Sequence, residues 1–113
     1  MKYFITCSIA LFCLLALTAQ EKSQGKQDPK KQTFSVEAAC GQCQFTLPGH
    51  TCDLAVRING KAYFVDGVHI DSLGNAHAKD GFCNAIRKAK VQGELVNNRF
   101  KASYFLLEGE KKK

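Results

Sequence analysis

Residues 52–66 read CDLAVRINGKAYFVD, and the fold is decided there. Cys52, Leu54, Val56 and Ile58 alternate with Asp53, Ala55 and Arg57. That period of two belongs to a strand with one face turned to a core. Asn59-Gly60 then interrupts it, and both residues accept the positive φ that a two-residue hairpin turn demands. Residues 61–66, KAYFVD, form the returning arm.

The same period extends outward from this hairpin. Phe34, Val36 and Ala38 alternate with Ser35 and Glu37, giving an earlier strand that runs into Cys40. Near the end, residues 90–96 (KVQGELV) and 99–108 (RFKASYFLLE) flank Asn97-Asn98 as two further strands. Residues 67–80, GVHIDSLGNAHAKD, follow no period and read as a long loop. Asp80 can cap a short helix in which Phe82, Ala85, Ile86 and Ala89 share one face. The expected class is mainly β, with one short helix between strands 3 and 4. That order is met in a small five-stranded OB-like barrel or in a meander covered by one helix.

The chain has 113 residues, room for one domain. Met1-Lys2-Tyr3 precedes an apolar run from Phe4 to Leu17, and Thr18 and Ala19 follow. A short basic start, a modest apolar stretch and a small-residue exit mark residues 1–19 as a signal peptide. The run is shorter than the roughly 20 apolar residues of a membrane span, so no stable span is expected after cleavage. The alternative is an uncleaved N-terminal anchor. Cys7 and Cys13 fall in this segment, and Thr6 and Phe12 before them do not suit lipid attachment. The protein is thus expected to be secreted or periplasmic. Residues 20–32 hold no large apolar side chain and are expected to be a disordered linker. The small β domain spans residues 33–107, and residues 108–113 are a charged tail.

The formal charge of +6 is concentrated outside that domain. Residues 33–107 carry eight Lys/Arg against six Asp/Glu, a net of +2. Basic tails serve solubility or loose attraction to anionic surfaces, and no nucleic-acid face is expected. The expected partner is an envelope component or a small ligand.

Four cysteines remain in the domain: Cys40, Cys43, Cys52 and Cys83. Cys40-Gly41-Gln42-Cys43 has the spacing of a knuckle that turns two thiolates onto one tetrahedral ion. Cys52 and Cys83 would have to complete the set from afar. Of the histidines, His77 ranks first as a further ligand, ahead of His69 and His50. Soft thiolates suit zinc or copper. Equally, four cysteines in a small exported domain form disulfides, with three possible pairings. A thioredoxin-like pair should start a helix, and the residues after Cys43 are not expected to form one. Covalent haem needs a histidine where Gln44 stands. Cys83, His77 and Asn84 could be drawn as a nucleophile, base and orienter, but nothing in the sequence places them together. No catalytic constellation is identified. Asp66, Asp71 and Asp80 do not follow the calcium-loop spacing.

Three segments, ACGQCQF, CDLAVRINGKAYFVDG and AHAKDGFCNAIRKAKVQGE, resemble a family of small secreted bacterial proteins known as a domain of unknown function. The resemblance covers about residues 38–107. It implies that Cys40, Cys43, Cys52, His77 and Cys83 stand at motif positions. Leu73 and Asn75 depart from the pattern, which has His and Asp there. No activity comes with it.

Overall fold

The computed structural model describes residues 22–109. The expected signal peptide and the last four residues of the charged tail lie outside them. The strands are β1 (Lys22–Gly25), β2 (Phe34–Cys40), β3 (Leu54–Ile58), β4 (Lys61–Asp66), β5 (Arg87–Val96) and β6 (Arg99–Leu107). One helical turn, α1 (Gly41–Gln44), follows β2, and a 3-10 turn spans Ile70–Leu73.

Strands β2 to β6 close on themselves. β2 pairs antiparallel with β3 on one side and with β5 on the other, matching Cys40 to Leu54 and Val36 to Ala89. β3 and β4 form the hairpin expected from Asn59-Gly60, whose φ values are 52° and 84°. β5 and β6 form a second hairpin around Asn97 and Asn98, both at positive φ. The ring closes where β4 runs parallel to β6, pairing Val65 with Phe100 and Asp66 with Lys101. A meander pairs only consecutive strands, so this parallel seam makes the domain a closed five-stranded barrel. Among the described residues, no helix is long and apolar enough to cross a membrane.

Alternation fills the interior. Val36, Ala38 and Cys40 from β2 meet Leu54, Val56, Ala89, Val91, Phe100 and Phe105 in one buried cluster. The intervening Ala39 and Ala55 point the other way and are also fully buried. Phe45 and Leu47, just after α1, fold back over that outer face beside Phe64. Arg57 roofs the patch, with its guanidinium 4.7 Å from the Phe45 ring centroid and its Nε donating to Glu37 at 2.8 Å. β3 is thereby buried on both faces around the cysteine knuckle.

The structure differs from expectation in two places. The helix anticipated from Asp80 does not form, and the helical turn lies instead between β2 and β3. Residues 79–84 make turns, with Ala85 N bonding Gly81 O at 2.9 Å, and the chain then enters β5. A lone short helix carries an unfavourable nucleation step, whereas the β2 edge offers a ladder to Arg87, Lys88 and Ala89. Period two was present there as well, since Ala89 and Val91 are buried while Lys88 and Lys90 are exposed.

The second difference is in the polar stretch at 20–32, where β1 forms and pairs antiparallel with residues 104–107 of β6. Backbone pairing holds it. Gln92, with no exposed surface, fastens the next turn. Its Oε1 accepts from Asp28 N at 2.8 Å, and its Nε2 donates to Asp28 O, Lys31 O and Thr33 Oγ1 at 2.9–3.1 Å. Gln92→Leu is expected to destabilise the domain by about 1 kcal/mol, because the half-buried Asp28 backbone and Thr33 hydroxyl lose their partner. Urea unfolding measures the loss. Hydrogen exchange should speed up at residues 28–33 first, and unchanged protection there would count against the latch.

Candidate metal centre

Each cysteine arrives on a different kind of support. Cys40 is the last residue of β2 and is fully buried. Cys43 lies one helical turn later and is exposed. Cys52 precedes β3, and Cys83 sits in the turn before β5; both are half-buried. Their four Sγ atoms lie within 4.8 Å of one another, and Cys43 and Cys52 are 3.9 Å apart. Four thiolates held at about 2.3 Å from a tetrahedral ion stand roughly 3.8 Å from each other. A disulfide needs about 2.05 Å, and all four described cysteines are free.

The backbone fixes this convergence. Cys40 N donates to Phe82 O at 3.0 Å, which ties the first cysteine beside the last. Gly41 N donates to Asp53 O at 2.8 Å, joining the knuckle to the residue after Cys52. Cys83 is held at both ends: its N donates to Ala76 O at 2.9 Å, and its O accepts from Gln44 Nε2 at 2.9 Å.

Gln42 does the same with its side chain, accepting from Asp53 N at 2.9 Å and donating to Asp53 Oδ2 at 2.8 Å. Thr51 Oγ1 completes that clasp with a 2.7 Å bond to the same carboxylate. Hydrogen bonds from Thr51 and then Gln42 hold the Asp53 carboxyl below its ordinary range. Gly41 is needed for space, not for an unusual φ. A Cβ there would stand 2.8 Å from Phe64 and 2.9 Å from Leu47.

The thiols share protons unequally. Burial pushes the Cys40 thiol up, but hydrogen bonds from the Cys43 thiol and backbone, from Cys52 and from Gln42 outweigh it. Cys40 therefore ionises below the usual thiol range. Cys43 is pushed up to about 12, first by its hydrogen bond to Cys40, then by desolvation. Cys83 is pushed up to about 11, first by burial, then by Cys52. A metal-free cluster thus gathers its negative charge on buried Cys40, whose Sγ accepts from Cys43 N at 3.4 Å.

His77 does not join the sulfur cluster. It is exposed, and its backbone N bonds Asn75 Oδ1 at 2.9 Å. His69, also exposed, accepts at Nδ1 from Asp71 N at 3.1 Å. Asn84 Nδ2 donates to His77 O and Ala78 O, so it clamps the loop carrying Cys83. Asp66 pairs with Arg99 at 2.9 Å, and Asp80 lies 3.9 Å from Arg87. One helical turn forms at the knuckle, with Cys40 as its N-cap, but Phe45 ends it, and residues 45–50 form no helix, as expected. Reading the sequence alone also missed Gln42, Gln44, Thr51 and Asp53 as supports. Their signal was position only: each is a polar residue adjacent to a cysteine.

These features define a class: a small closed β-barrel with a four-thiol cluster built on one strand end, one helical turn, the segment before β3 and the turn before β5. The chain belongs to a family of unknown function, DUF6370, whose model matches residues 34–108. No curated protein and no solved structure matches it.

Proposed function

We propose that the domain is a metal-binding module of the cell envelope, holding one soft ion between Cys40, Cys43, Cys52 and Cys83. The observation that carries this is the mutual approach of four sulfurs to within 4.8 Å. Zinc and monovalent copper both suit thiolates, and a full tetrahedral set of four favours zinc. The envelope address rests on the apolar N-terminal segment, and cell fractionation tests it. The same cysteines as disulfides would make a stapled interaction module for a ligand or protein.

Titrating the reduced, metal-free domain with Zn(II) under argon tests the proposal. Native mass spectrometry is expected to show one ion per chain. The ion binds thiolates, so protons on Cys43 and Cys83 compete with it. At least two protons should be released per ion at neutral pH. Affinity should then fall about a hundredfold for each pH unit of acidification. Calorimetry in buffers of different ionisation enthalpy counts those protons. A chain that stays metal-free with four alkylatable thiols would sink the proposal. A purified protein with two fewer thiols per bridge and no metal would favour the stapled module.

A further inference from the structure

The four sulfurs are not equivalent to a reagent arriving from solvent. Cys40 is fully buried, on a strand whose end is pinned to Phe82 O. Cys83 is tied through both its N–H and its carbonyl. Cys43 is exposed, and Cys52 lies in the irregular segment before β3. These last two also stand 3.9 Å apart, so closing a bond of about 2.05 Å needs roughly 2 Å of movement.

We propose that Cys43 and Cys52 are an oxidisable pair, which hydrogen peroxide converts to a disulfide with release of the bound metal. In the loaded domain the ion keeps Cys43 deprotonated, and the Cys43 sulfur attacks one peroxide oxygen. An S–O bond forms as the O–O bond breaks, and the departing hydroxide takes a proton to become water. The Cys52 sulfur then attacks the Cys43 sulfur. The S–S bond forms as the S–O bond breaks, and a second hydroxide leaves as water. Two thiolates are oxidised by two electrons, one peroxide is reduced, and two solvent protons are consumed. Only Cys40 and Cys83 remain as ligands, too few to hold a tetrahedral ion. The metal-release half of this proposal rests on the metal-binding reading; the pairing half does not.

The test treats the zinc-loaded wild-type domain with one equivalent of peroxide. A chromogenic chelator reads free zinc, and differential alkylation with peptide mapping reads the thiols. One zinc should be released per peroxide consumed, with Cys43 and Cys52 protected from alkylation and Cys40 and Cys83 labelled. Reductant should restore binding. Cys43→Ser removes a zinc ligand as well as the attacking sulfur, so it is read by its thiols alone: after peroxide, Cys52 should remain alkylatable. Retained zinc, or protection of Cys40 or Cys83 instead, would overturn the proposal. If no zinc binds at all, the metal-binding reading fails. The same peroxide mapping on the metal-free domain then decides whether this pair forms.

Discussion

Cys40→Ser is expected to weaken zinc binding a hundredfold to a thousandfold and to weaken the metal-free domain as well. A structural four-thiolate zinc site is worth about 10–16 kcal/mol at neutral pH. Losing one of four ligands removes on the order of 3–4 kcal/mol, a fall in affinity of a hundredfold to a thousandfold. Cys40 is also part of the barrel core, with no exposed surface. A serine hydroxyl there must find a partner or cost about 1–3 kcal/mol. Cys43 has the same ligand role without the burial, so Cys43→Ser should lose affinity while leaving metal-free stability nearly unchanged. Chelator competition measures the first effect and urea unfolding the second. Equal behaviour of the two variants in both assays would contradict the division of roles between them.

Phe100→Ala should be the most damaging change in the barrel. Phe100 is 1% exposed and sits opposite Val65 in the parallel seam that closes the ring. Truncating a buried phenylalanine costs about 3–5 kcal/mol, a large part of the 5–15 kcal/mol that keeps a domain folded. Metal-free Phe100→Ala is therefore expected to populate unfolded chain at 37 °C. Zinc at a thousand times its dissociation constant would return about 4 kcal/mol by mass action. Thermal unfolding with and without zinc reads both effects. A variant whose midpoint zinc does not raise would show that metal binding and barrel closure are uncoupled.

Much of the fold could be read from residue order. The β3–β4 hairpin was legible because Asn59-Gly60 leaves few other conformations and alternation continues on both sides. The four cysteines were legible as candidates because their chemistry is distinctive. Their convergence was not, since it depends on how β2 registers with β3 and β5. Residues 81–89 were misread because the helical set Phe82, Ala85, Ile86 and Ala89 overlaps the strand set Ala89 and Val91; the open β2 edge decided between them. Gln92 gave no local signal at all. It lies on the outer face of β5 with Lys88 and Lys90, and is buried there only because a turn some 60 residues earlier in the chain covers it and satisfies its amide. β1 was invisible for a related reason, as backbone pairing asks little of side-chain pattern.

The backbone bonds among the cysteine segments have a consequence for how such a chain can change length. Cys40 opposite Leu54 and Ala38 opposite Arg87 are rungs of one ladder system. A one-residue slip in β2 would turn Cys40 from the interior to the outside and disperse the sulfurs. Insertions or deletions are therefore barred from residues 38–45, 51–54 and 82–89. The connection after β4, up to the turn at Asn75, holds no cysteine and is constrained only where Val68, Ile70 and Leu73 enter the core, and the tip at Asn97-Asn98 is exposed. Length variation should gather at those two places, leaving the spacing within the cysteine segments as the invariant measure of this fold.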